Sequence, residues 1–197
     1  MLLVGSPCPR SGLVNRALES LRDEDLQYNN WIEQGVMIEV PSAAWNVRRF
    51  LQYVDFGCVG TNDLLQYFFA VDRNNDNVAN YSRPEDPCAL TMLKTIIAGA
   101  RALEKPLTLC GELASDTMYL PLLLGLGFQS FSVSPHSVDD ILKTIFEIPR
   151  EACSELLRKC LAADTALESR RVLDEFWKNH GRTFSVDDSD KNDEHVD

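Results

Sequence analysis

Thr61, Asn62 and Asp63 follow one another directly after Gly60, where an apolar run from Val54 to Val59 breaks off. Each of the polar types suits a different part of anion chemistry. An aspartate such as Asp63 can hold a hard cation, and an asparagine such as Asn62 can hydrogen-bond an oxyanion. Arg73, a little further on, can neutralise a carboxylate or a phosphate. The same residues also suit a plainer role, with Asn62 or Asp63 capping a helix and Arg73 solvated. Glu39 is the one carboxylate in the apolar segment Gly35 to Pro41. Burying its charge is costly, so it either faces a site at the strand's end or sits in a structural ion pair. Cys110 closes another apolar segment immediately before Gly111, and taken alone it reads as an ordinary buried cysteine.

These residues need elements to place them, and the chain supplies strands alternating with helices. Short apolar strands are expected near 1–5, 35–40, 54–59, 107–110 and 130–133. Helical spacing of apolar residues predicts helices over 10–25, 42–53, 89–103, 116–125 and 138–147, with two more at 150–161 and 164–179. Strands and helices in this order make an α/β fold, with a parallel sheet covered by helices. Parallel folds carry their chemistry at the carboxyl ends of the strands, which is where Glu39, Thr61 to Asp63 and Cys110 fall. No strand is followed by Gly-x-Gly-x-x-Gly or by a Walker lysine motif, so a nucleotide cradle is not indicated. Five units are too few to close an eight-stranded barrel.

Composition narrows the partners. With 197 residues and 45% hydrophobic content the chain can bury a core of its own. A net charge of −11 argues against nucleic acid as its ligand. Part of the acidity lies in the segment 181–197, which is expected to be a disordered tail. The six cysteines form no Cys-x-x-Cys pair and cluster with no histidine, so neither zinc nor a redox pair is signalled. They are expected to be reduced thiols in a cytoplasmic protein without a membrane span.

Several segments then act together: Gly-Val-Met-Ile-Glu-Val-Pro-Ser at 35–42, Asp-Phe-Gly-Cys-Val-Gly-Thr-Asn-Asp-Leu-Leu-Gln-Tyr at 55–67 and Ala-Val-Asp-Arg-Asn at 70–74. Leu-Cys-Gly-Glu-Leu-Ala at 109–114, Leu-Leu-Gly-Leu-Gly-Phe at 123–128 and Ser-Phe-Ser-Val-Ser at 130–134 follow in order. Together they resemble the phosphoenolpyruvate-binding barrel of enzyme I of the bacterial phosphotransferase system, the phosphoenolpyruvate-protein phosphotransferases. The two last helices are closer in character to the family's nitrogen-related branch. The resemblance implies a partial TIM (β/α)8-type barrel over 1–148, C-terminal helices over 149–180 and the tail beyond. It further implies transfer of a phosphoryl group from phosphoenolpyruvate to a histidine on a separate domain, and from there to a small carrier protein.

Matched motif by motif, Glu39 and Asp63 are the expected magnesium ligands. Asn62 is expected to donate to the phosphate, Asp63 and its neighbouring amides to meet the substrate, and Arg73 to clamp the anion. Cys110 corresponds to the cysteine that exchanges a proton with the methylene carbon of enolpyruvate, a role that suits a thiol whose pKa is tuned toward neutrality. His136 lacks the setting of the phosphorylated histidine and is expected to be a loop residue. The family's barrel has further strands and domains upstream of the matched region. The chain is therefore expected to be the C-terminal part of such an enzyme. The alternatives are a phosphoenolpyruvate-binding or dimerisation module, a homodimer in either case, or an inactive fragment.

Overall fold

The computed structural model describes residues 12–29, 31–72, 75, 78, 81–182 and 184. The strand expected at 1–5, Arg73 and the expected tail apart from Gly181, Arg182 and Phe184 lie outside the described residues. Arg182 donates to the Thr144 hydroxyl at 2.8 Å, so the start of that segment is packed on the body and not a free tail. Four strands are described: β1 (Gly35–Ile38), β2 (Phe56–Gly60), β3 (Leu107–Cys110) and β4 (Ser130–Phe131). They form one parallel sheet in the order β1-β2-β3-β4. Sequential order without reversal is the arrangement of a barrel segment, whereas a doubly wound sheet reverses at a switch point.

The two faces of the sheet differ. Ile38, Val59 and Leu109 lie in neighbouring registers on one face and are fully buried. They pack under α5 (Pro87–Arg101), whose Leu90, Leu93 and Ile96 are equally inaccessible. The other face carries Met37, Cys58, Thr108 and Ser130, paired in register, and all of them remain partly or largely exposed. Side chains alternate across a strand, so this split follows from the period of two.

Helix α1 (Gly12–Asp23) precedes the sheet, and α4 (Thr61–Phe69) springs directly from β2. The helix expected over 42–53 is two short ones, α2 (Pro41–Trp45) and α3 (Val47–Leu51). Asn46 separates them: its Nδ2 donates to the Ser42 carbonyl at 2.9 Å, a local bond that competes with the helical ladder. The helix expected from Asp116 begins later, as α6 (Leu120–Leu126). Asp116 instead accepts from the Met118 amide at 2.9 Å and holds an Asx turn ahead of it. β4 is shorter than expected, although the Ser132 amide still donates to Leu109 at 2.8 Å and extends the ladder.

Helices α7 (Val138–Glu147), α8 (Arg150–Leu161) and α9 (Ala166–Asn179) complete the chain. Gly125 lets α8 lie close on α6, because a Cβ there would collide with the Cys153 carbonyl. Leu156, Leu157, Leu173 and Trp177 join the same apolar cluster as Ile38 and Val59. No described helix is long and apolar enough to cross a membrane.

Candidate functional site

The carboxyl edge of the sheet is built where β2 passes into α4 without an intervening loop. Gly60 ends the strand, and Thr61, Asn62 and Asp63 form the first turn of the helix. Gly60, at the cap position, offers no side chain to the first-turn amides. Those N–H groups and the positive end of the helix dipole favour an anion nearby.

Thr61 is fully buried, and its hydroxyl donates to the Cys110 carbonyl at 2.8 Å. In return the Cys110 thiol donates to the Val59 carbonyl at 3.2 Å. The pair ties the ends of β2 and β3 together and fixes the half-buried sulfur at the edge. Burial pushes the Cys110 thiol up, and the nearby Cys58 and Glu39 raise it further. The sequence led to the expectation of a thiol tuned toward neutrality, but the shift runs the other way. Cys110 is therefore held as a protonated thiol, suited to giving a proton rather than to attacking as a thiolate.

Glu39 continues from Ile38, which registers with Val59, so it stands level with Gly60. A Cβ at Gly60 would lie 3.1 Å from the Glu39 Cβ and 3.4 Å from its Oε2, so the glycine leaves room for this carboxylate. Asp63 sits half-buried in the first turn of α4. Two hard oxygen ligands on neighbouring elements fit magnesium, which retains waters and takes its remaining oxygens from a substrate. Among the described residues no group of three or more His, Cys, Asp and Glu side chains could hold a metal.

Asn62 is not idle in this arrangement. Its Oδ1 accepts from the Glu112 amide at 2.8 Å, and its Nδ2 donates to Glu112 Oε1 at 3.3 Å. Gly111 makes the approach possible: its φ of +101° is left-handed, and a Cβ there would lie 2.5 Å from Thr61 Oγ1 and 2.7 Å from Asn62 Oδ1. The structure thus brings together Glu39, Asn62, Asp63 and Cys110, while Arg73 lies outside the described residues. From the sequence Thr61 was given no role of its own, and Glu112 was not singled out. Both stand inside the quoted motifs, but only the pairing of β2 with β3 gives them partners about 50 positions away. His136 lies exposed on a short 3-10 turn after β4.

The match to known proteins covers this edge. The family described as PEP-utilising enzyme, PEP-binding domain, matches residues 10–149. Multiphosphoryl transfer protein 1 of Escherichia coli K12 is 36% identical over 165 residues, 84% of this chain and 20% of that protein. The phosphoenolpyruvate-protein phosphotransferase of Haemophilus influenzae is 40% identical over 156 residues, 79% of the chain and 27% of its own length. That of Mycoplasma capricolum is 37% identical over 159 residues, 81% of the chain and 28% of its own. The chain spans between a fifth and about three tenths of the length of these relatives. With most of its length matched, edge of the sheet included, the chain belongs to the PEP-binding domain family of PEP-utilising enzymes.

Proposed function

We propose that the chain forms the phosphoenolpyruvate- and magnesium-binding part of a phosphoenolpyruvate-protein phosphotransferase. The phosphoryl group would pass to a histidine outside this chain and then to a carrier protein. The observation that carries the reading is the meeting of Glu39, Asn62 and Cys110 with the start of α4 at one strand edge. Glu39 and Asp63 would hold magnesium, which neutralises phosphoryl charge and orients it for in-line transfer. The first-turn amides of α4 accept the anionic end of the substrate, and the Asn62 carboxamide has one N–H left to donate to it.

Loss of the phosphoryl group leaves the enolate of pyruvate. Cys110 then gives its proton to the methylene carbon, forming the methyl group of pyruvate, and the resulting thiolate regains a proton from water. For this the thiol must turn away from the Val59 carbonyl. The half-buried setting that raises its pKa keeps the proton on sulfur until the enolate appears. A homodimer and a cytoplasmic setting complete the reading and rest on the family resemblance. Calorimetric titration of the folded 197-residue chain with phosphoenolpyruvate, with and without magnesium, tests it. Saturable heat only with magnesium is expected, and its absence would mean that this segment does not assemble the site.

A further inference from the structure

From the two-point contact between Asn62 and Glu112, we infer that Glu112 is a positioning residue that locks the Asn62 carboxamide in its anion-facing orientation. The inference rests on the function proposed above. An asparagine side chain can turn over and exchange its oxygen with its nitrogen. Here the Glu112 main-chain N–H can only donate, so the atom 2.8 Å from it is the carboxamide oxygen. The Nδ2 group is thereby committed to the opposite side, where Glu112 Oε1 takes one of its hydrogens at 3.3 Å. The other hydrogen is left for a ligand.

Glu112 can do this only because Gly111 turns the chain back at a left-handed φ, with Thr61 Oγ1 and Asn62 Oδ1 filling the space a Cβ would need. The side chain of Glu112 is itself exposed, and it stands at the head of a 3-10 turn running to Ser115. It has no place in the apolar core, so its removal tests orientation with little penalty in folding. Glutamine at 112 keeps a side-chain oxygen to accept from Nδ2, whereas alanine keeps only the main-chain anchor.

The test compares Glu112→Ala and Glu112→Gln with the parent by nitrogen-15 relaxation of the Asn62 carboxamide, identified by its disappearance in Asn62→Ala. The parent and the glutamine variant are expected to show a rigid carboxamide, with an order parameter of about 0.8, and the alanine variant a mobile one below about 0.6. In calorimetry with phosphoenolpyruvate and magnesium, alanine is expected to weaken binding about tenfold and glutamine to stay within about threefold. An equally rigid carboxamide in Glu112→Ala overturns the inference, whether or not the parent binds. So does parent-like binding by that variant. A parent that does not bind while the carboxamide loosens only in Glu112→Ala counts against the proposed function and supports the positioning role.

Discussion

Cys110 illustrates how surroundings set the chemistry open to an ordinary residue. Its sulfur is tied to the Val59 carbonyl, its own carbonyl is tied to Thr61, and burial, with Cys58 and Glu39 nearby, disfavours its thiolate. If it supplies the enol proton, Cys110→Ala should bind phosphoenolpyruvate as the parent does. In the assembled phosphotransferase the same change should slow entry of solvent deuterium into the pyruvate methyl group by about 10²-fold or more. If Asp63 holds magnesium, Asp63→Ala should make the opposite separation and remove the magnesium-dependent part of binding altogether. Parent-like calorimetry of Asp63→Ala would refute the metal assignment. At this scale the sequence was informative wherever a residue type is costly or chemically distinctive in its setting. Glu39 stood out as a charge in an apolar strand, and Asp63 as a carboxylate at a strand's end. Thr61 and Glu112 did not, because hydroxyls and surface carboxylates are common in turns and their meaning comes from partners across the sheet.

The elements were legible through apolar spacing, and their boundaries were not. Strand positions and the helices α7 and α8 follow the periodicity closely, because long amphipathic repeats leave little choice. The split at Asn46 and the late start of α6 follow from single side-chain bonds to main chain, which periodicity does not register. Nor did spacing disclose how α9 is fastened to the start of α5. There the Ser169 hydroxyl donates to the Glu85 carbonyl at 2.6 Å, and the Arg170 guanidinium lies 3.6 Å from Glu85 Oε1. Glu85 is buried, and its Oε2 has no hydrogen-bond partner among the described residues. Burial raises its carboxyl above the ordinary value of 4.5, against the pull of Arg170, Arg83 and Tyr119. A raised pKa means that the folded state holds this proton more tightly than the unfolded chain does. The stability it contributes is full below 4.5 and is lost as pH rises through the higher folded value. Urea denaturation across that window should therefore show the parent losing stability that Glu85→Gln retains. Parallel pH profiles for the two would mean that folding does not raise the Glu85 carboxyl.

At the scale of the whole molecule, the division expected from the sequence separates the last helices, beginning at 149, from the barrel segment. The packing argues for one cooperative unit. Trp177 in α9 is 1% exposed, and its indole N–H donates to the Met118 carbonyl at 2.9 Å ahead of α6. Leu173 and Trp177 share a single apolar cluster with the buried residues of β1, β2 and β3. Detaching α8 and α9 would uncover α6 and leave the Glu85 end of α5 without Ser169 and Arg170, so the helices should not melt ahead of the sheet. Tryptophan emission can report this, because Trp31 and Trp45 are 86% and 58% exposed and already sense water, whereas Trp177 does not. Thermal unfolding followed by tryptophan emission and by far-ultraviolet circular dichroism should give midpoints that coincide within about 2 °C, as two-state unfolding requires. An emission change that comes clearly earlier would mean that α8 and α9 unfold by themselves. The carboxyl edge of the sheet would then owe its rigidity to the strand–helix units alone, with Thr61, Gly111 and Asn62 as the clasp between β2 and β3.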